Sequence, residues 1–345
     1  MIRALFLSVF LSLCIGFAQV PAYYSGIDFT KEGDELKAEL ASLITSTHTP
    51  ITYSQCWDVL KTSDLDPDNS ANVLLVYGYQ DDSNPVTDRT RDKNANGGSP
   101  GEWNREHVYP KSLGTPDLGS SGPGSDAHNL RACDVQQNGN RNNRKFTDGS
   151  GNPGTVGDHW YPGDEWKGDC ARIIMYMYVR YNSRCLPSNA VNGTANAMDP
   201  NMVDLLLDWN AEDPVSTHEQ NRNNGIYAGQ NNRNPFIDNP SIANKIWGGT
   251  PAEDPWGGLS TGVEKITNVL VYPQPSLDQS IYISSSQLSS LDEIRILSLN
   301  GQLLQEIHFG SLNTNELRLE ELPQGNLILQ LQFEQQIIHK RILIQ

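Results

Sequence analysis

What most restricts the fold of this 345-residue chain is a change of texture across residues 247–263. There Gly248-Gly249-Thr250-Pro251 and Pro255-Trp256-Gly257-Gly258 interrupt every regular pattern, as a linker between folded units does. Beyond it, residues 268–272, 279–284, 293–299, 303–309, 316–322, 326–333 and 336–344 are short alternating stretches, separated by turns such as Asn300-Gly301 and Gln324-Gly325. Alternation of period two marks half-buried strands, so 263–345 is expected to be a small all-β sandwich. Ahead of it, 19–247 mixes helical and strand patterns and predicts an α+β unit, joined through a linker at 248–262.

Apolar spacing sets the elements of the first unit. Leu36, Leu40, Leu43 and Ile44 recur at helical intervals, so 31–46 reads as an amphipathic helix with acidic residues in its early turns. A second short helix is expected at 52–61. The run Val73-Leu74-Leu75-Val76-Tyr77, closed by Gly78, predicts a buried strand within 71–79. Residues 127–137 are expected to be helical, and 170–181 to form a helix buried nearly all round. Asp199-Pro200 should open a further helix carrying Met202, Leu205, Leu206 and Trp209.

At the start, Arg3 precedes an apolar run over 4–17 and a small residue, Ala18, which is the pattern of a secretory signal peptide at 1–18. A lipoprotein reading at Cys14 is set aside because bulky Leu13 stands where a small residue is needed. No later stretch is uniformly apolar for the length of a membrane span. Loss of the signal would remove Cys14 and leave Cys56, Cys133, Cys170 and Cys185, an even set that predicts disulfides in an exported chain. Cys170 with Cys185 is the preferred pair, across a helix followed by a tight return. No Cys-x-x-Cys pair supports zinc, and His218-Glu219 does not continue as a metalloprotease motif because position 222 is Arg.

The chemistry concentrates in Glu102-Trp103-Asn104-Arg105-Glu106-His107-Val108-Tyr109-Pro110-Lys111-Ser112, answered by Asp126-Ala127-His128-Asn129-Leu130-Arg131 and by Asn138-Gly139-Asn140-Arg141. The formal net charge of -16 disfavours a generally basic nucleic-acid-coating protein. Over 103–146, however, Arg105, Lys111, Arg131, Arg141, Arg144 and Lys145 outnumber Glu106, Asp117, Asp126 and Asp134, so this stretch is locally basic. Pro110 closes a strand ending near His107. Neighbours on a strand point to opposite faces, so Glu106 and His107 reach one site only through a bulge or a strand-end turn.

These three segments resemble the bacterial endonuclease I family of secreted nucleases, with supporting similarity in Asn232-Arg233-Asn234-Pro235-Phe236-Ile237-Asp238. The resemblance runs over about 23–247. It implies a ββα-metal (His-Me finger) core within a mostly helical domain, and hydrolysis of DNA, with RNA as a second substrate, without sequence specificity. It also implies His107 as general base and Glu106 and Asn138 as ligands of one divalent cation, Mg²⁺ first and Ca²⁺ or Mn²⁺ as alternates. An arginine on the phosphate is expected from Arg131, Arg141 or Arg105, with Arg105, Lys111, Arg144 and Lys145 lining the nucleic acid. Asp126, His128 and Asn129 either support the site from behind or simply tie loops together. The segments Val271-Tyr272-Pro273-Gln274-Pro275 and Leu297-Ser298-Leu299-Asn300-Gly301-Gln302, with the 340–345 end, resemble the C-terminal sorting domain of type IX secretion substrates, departing from it at Asn326. That implies secretion machinery as a partner and a secreted or surface-attached location; separately, the chain is expected to be a monomer.

Two other classes compete. A surface-attached nucleic-acid-binding protein on the same fold with weak catalysis would be marked by loss of Glu106, His107 or Asn138, and all three are present. A zinc-stabilised HNH-type domain would need paired cysteine ligands that the sequence lacks.

Overall fold

The structure is a computed structural model that describes residues 20–81, 84–257, 269–285, 288–298, 301–310, 312, 314–333 and 336–345. The expected signal peptide at 1–18 and residues 258–262 of the expected linker lie outside the described residues. The chain divides into two compact units, Met1–Ser260 and Thr261–Gln345.

In the first unit, α1 (Gly33–Thr47) buries Leu36, Leu40 and Ile44 as its spacing predicts, with Asp34 and Glu35 complementing the helix dipole in its first turn. It packs on α4 (Lys167–Tyr181), whose residues from Gly168 to Val179 are all buried. The helix α2 (Cys56–Ser63) lies against α7 (Thr217–Gln230), which opens on a capping box between Ser216 and Glu219. Short α5 (Pro187–Ala190), α6 (Asp204–Glu212), α8 (Pro235–Asp238) and α9 (Ile242–Trp247) complete the helical shell. Strand pairs β1 (Asn72–Leu74) with β2 (Thr90–Asp92), β3 (Trp103–His107) with β4 (Leu130–Asp134), and β5 (Gly154–Val156) with β6 (His159–Tyr161) are all antiparallel. The helix α3 (Val135–Arg141) follows β4 directly.

Three expectations change. The strand expected within 71–79 ends at Leu74, because the chain turns through Tyr77 at φ 68° and Gly78. A Cβ on Gly78 would sit 2.2 Å from the Asp88 carbonyl oxygen, so only glycine fits there. The helix expected over 127–137 is instead one 3₁₀ turn, Ala127–Asn129, then β4, then α3. Every residue of β4 is buried, and the Asp134 carboxylate caps α3 by accepting from the Gln136 and Gln137 amides, which delays the helix start. Likewise α6 starts at Asp204, since Asp199 and Met202 close a turn ahead of it.

The four described cysteines are free and buried, which overturns the expected disulfides. Cys170 sits near the start of α4, whereas Cys185 ends the 3₁₀ turn Asn182–Cys185 that follows the helix's far end. Each thiol has an apolar seat instead, with Cys56 pointing at the Thr52 and Ser125 carbonyls and Cys133 at the Val76 carbonyl. Part of the expected linker is also packed: Trp256 is only 8% exposed, meets Phe29 edge to face and lies tilted against Tyr24.

The second unit is all-β, with β7 (Leu270–Tyr272), β8 (Ile281–Ser284), β9 (Leu291–Ser298), β10 (Leu303–His308), β11 (Glu316–Leu319), β12 (Gly325–Phe333) and β13 (Gln336–Ile344). Its antiparallel sheets run β10-β9-β12-β13 and β11-β8-β7. Both sheets feed one aliphatic cluster that includes Ile281, Ile283, Ile294, Ile296, Leu329 and Leu331.

Candidate active site

Glu106, His107, Lys111, Asn138 and Arg141 line one cleft of about 480 Å³, together with Asp117, Gly139, Asn142 and Asn143. The register of β3 on β4 is regular, from Trp103 opposite Asp134 to His107 opposite Leu130, so no bulge brings Glu106 and His107 together. The cleft lies instead around the end of β3, where the chain leaves the sheet toward Pro110 and Lys111 and both faces of the strand can contribute. Asn129 fixes that exit. Its backbone oxygen accepts from the Val108 amide at 3.0 Å, and its side-chain oxygen from the Tyr109 amide at 2.7 Å.

His107 Nε2 lies 2.9 Å from the Gly124 carbonyl oxygen. A carbonyl only accepts, so Nε2 carries the proton and the lone pair of the neutral ring is on Nδ1. The ring stacks on Tyr53 at 5.6 Å. Burial, together with the charges of Lys111, Arg105 and Arg141, pushes the imidazole down to about 4, so it is neutral near pH 7. Gly124 supplies its carbonyl from a tight turn in which a Cβ would lie 2.0 Å from the Gly119 oxygen.

Burial pushes the Glu106 carboxyl up to about 7, against the lowering effects of Arg141 and a Tyr77 hydrogen bond. Its Oε1 accepts from Arg141 Nη1 at 3.0 Å and from the Tyr77 hydroxyl at 3.1 Å. Arg141 also donates to the His107 and Val108 carbonyls, at 3.0 and 2.8 Å, and covers the Phe146 ring. Asn138 donates through Nδ2 to Asn104 Oδ1 at 2.7 Å, which leaves its own Oδ1 for another partner. A carboxylate raised by burial, a neighbouring amide oxygen and an open polar cleft form a donor set that fits a hard divalent cation.

The other expected residues divide. Lys111 is exposed in the cleft, and Arg144 borders the adjoining cleft. Arg131 is fully buried away from it, paired with Asp169 at 2.5 Å and Asp64 at 3.4 Å, so its guanidinium is occupied in the scaffold. Arg105 is sandwiched with Tyr53 and Trp57, 3.6 and 4.1 Å from their rings, and donates to the Tyr53 carbonyl. Lys145 donates to the Ser188 carbonyl. Asp126 accepts from Tyr176, Tyr181 and Gln230 and pairs with Arg180, while His128 is buried against Tyr176. Sequence reasoning missed Tyr53, Tyr77, Asn104 and Gly124. Only the uncommon pairing of Tyr77 with Gly78 at the end of an apolar run hinted at one of them.

With this geometry in hand, comparison with known proteins identifies the class. The Endonuclease I family matches residues 32–241, and a secretion system C-terminal sorting domain matches 270–345. The chain belongs to the endonuclease I family and is a secreted or surface-attached nuclease carrying a sorting domain. It is 44% identical to an extracellular ribonuclease of Bacillus subtilis (strain 168) over 243 residues, covering 67% of this chain and 80% of that protein. A Bacillus amyloliquefaciens extracellular ribonuclease is also 44% identical, over 228 residues, 63% of this chain and 75% of the relative. Among solved structures, the sulfur carrier protein SoxY from Chlorobium limicola f thiosulfatophilum aligns with 23% of this chain and 80% of its own at 12% identity, with a TM-score of 0.17 that carries no argument.

Proposed function

We propose that this nuclease is a monomeric, metal-dependent endonuclease that hydrolyses internal phosphodiester bonds of DNA and RNA without sequence specificity. RNA enters on the names of its two bacillary relatives, both extracellular ribonucleases. We read β3, β4 and α3 as the strands and helix of a ββα-metal finger. The support for this is the regular hairpin register and the return of Asn138 on α3 to Asn104 on β3. The observation that carries the proposal is a neutral imidazole, locked by the Gly124 carbonyl with Nδ1 unprotonated, in one cleft with Glu106 and Asn138.

His107 Nδ1 takes the proton of the attacking water. Arg141 holds the Glu106 carboxylate and the two carbonyls after it, so it positions the strand end. Lys111 is the exposed cation beside the phosphate, in the role first expected of Arg131, Arg141 or Arg105. Glu106 and Asn138 would hold a divalent cation, Mg²⁺ in first place, which when bound stabilises charge on the phosphate and the departing oxygen. Digestion of plasmid DNA and of single-stranded RNA, with excess chelator and then with Mg²⁺, Mn²⁺ or Ca²⁺ returned, tests this. Cleavage of both substrates should stop in chelator and return with Mg²⁺; undiminished cleavage in chelator overturns the proposal.

A further inference from the structure

A second cleft of about 560 Å³ adjoins the first and shares Gly139 and Asn142 with it, so only the C-terminal turn of α3 stands between them. No carboxylate lines it among the described residues. Its walls carry the exposed amides of Asn140 and Asn142, the half-buried ring of Tyr79 and a single cation, Arg144, over the buried Gln137 and Trp160. Carboxylates would suit a metal or an amine, and several cations would suit a bare phosphate. Uncharged donors and acceptors beside aromatic rings suit a flat heterocycle with its own donors and acceptors.

The amides are organised. Asn140 Nδ2 donates to Gln137 Oε1 at 3.2 Å, and Gln137 Nε2 donates to the Tyr77 carbonyl at 3.4 Å. The Tyr77 hydroxyl in turn donates to Glu106, and its ring meets Trp160 edge to face at 5.6 Å. The residue steadying the catalytic carboxylate therefore also anchors the amide row of the second cleft. Between the clefts, a Cβ on Gly139 would meet nothing within 4 Å, so the saddle is bare backbone open to a crossing strand.

We infer that the second cleft is a nucleobase subsite for a nucleotide flanking the scissile phosphate; this rests on the nuclease mechanism proposed above. A base can enter it only when unstacked, so single strands and locally opened duplexes are the preferred substrates. Arg144 at its margin meets the adjoining phosphate. Asn140 and Asn142 each offer both an amide donor and an amide acceptor, so the subsite holds a base without selecting its identity.

The test uses the full chain with Mg²⁺ and end-labelled single-stranded oligonucleotides, each with one abasic position, and maps cleavage at every phosphate. Wild type should show a loss of about tenfold at one phosphate at a fixed offset from the abasic position, the size expected for a lost stacking contact. Thr155→Trp, at an exposed position on the cleft wall, should fill the pocket. It should lower the ratio of oligonucleotide to bis(p-nitrophenyl) phosphate cleavage about tenfold and erase the abasic offset. Asn140→Ala, also exposed, is a second arm and should lower the same ratio. A flat cleavage pattern around the abasic position, or an unaltered ratio in both variants, overturns the subsite. Failure of wild type to cut the intact strand refutes the nuclease mechanism instead.

Discussion

The two units bury different kinds of side chain. In the C-terminal unit the inward positions are apolar, aliphatic but for Phe333, and its buried polar side chains among the described residues are serines alone, Ser276, Ser280 and Ser285. In the catalytic unit the buried set includes Asp64, Asp126, Asp169, Glu219, Arg131, Arg172 and Arg222. Asp64 joins Arg131 and Arg222, at 3.4 and 2.9 Å, while Arg172 grips Glu219 through two hydrogen bonds of 2.7 and 2.8 Å. Area removed from water holds one unit together. The other also depends on charges that must find each other, because a buried charge without a partner costs far more than a lost methyl group. Polar burial ties the scaffold together at Asp64, and at Glu106 it borders the candidate site.

His107→Ala separates those two uses most sharply. Turnover should fall roughly 10²–10⁴-fold, as for loss of a general base, while the thermal midpoint stays near wild type. Loss of folded protein in step with activity would erase the distinction.

Asp64→Ala should destabilise the catalytic unit by about 3–5 kcal/mol, since Arg131 and Arg222 keep their charges in the core. Leu329→Ala should destabilise the C-terminal unit by about 2–5 kcal/mol through a cavity. Calorimetry should resolve these as shifts of separate transitions. A common shift of both in either variant would show that the units do not melt independently.

Acid should act on the catalytic unit first. Burial works against the Asp126 carboxylate, yet His128, Arg180 and a Gln230 hydrogen bond hold it down at about 2. Burial pushes the His128 imidazole down to about 3. Both folded values lie below the unfolded ones, about 3.9 for Asp and 6.5 for His, so the unfolded chain binds more protons as pH falls. The stability they confer is whole above about pH 6.5 and drains away between there and about pH 2. Thermal scans at descending pH should lower the catalytic transition ahead of the C-terminal one; the reverse order would count against this assignment.

The smallest effect should come from removing the C-terminal unit. Every candidate site residue lies in the first unit, and Trp256 packs on it, so a chain spanning 19–257 should keep wild-type specific activity. A folded but inactive 19–257 chain would show that the sandwich helps to build the site.

Aliphatic burial was legible in the sequence and charge-paired burial was not. Among the described residues each of the seven expected C-terminal stretches carries a strand, to within a few residues at its ends, because on a half-buried strand hydropathy and geometry share one period. β4 escaped notice because Arg131 breaks an otherwise apolar Leu130-Arg131-Ala132-Cys133 run, and a lone arginine reads as surface until Asp64 and Asp169 are seen around it. Glu106, His107 and Asn138 were found through a local motif, and the fold does gather them in one cleft. Tyr77 and Gly124 were not, since a hydroxyl and a carbonyl become meaningful only when distant loops meet.

The buried thiols give the molecule a clock. Burial pushes the thiols of Cys56 and Cys185 up to about 12, and those of Cys133 and Cys170 well above the ordinary range, so almost no thiolate forms in the native state. An alkylating reagent therefore waits for the chain to breathe, and the delay at each position times the opening around it. Cys56, whose sulfur rests on the Ser125 carbonyl beside the turn that presents Gly124 to His107, keeps time for that turn. Cys170, deep in α4, keeps time for the whole domain.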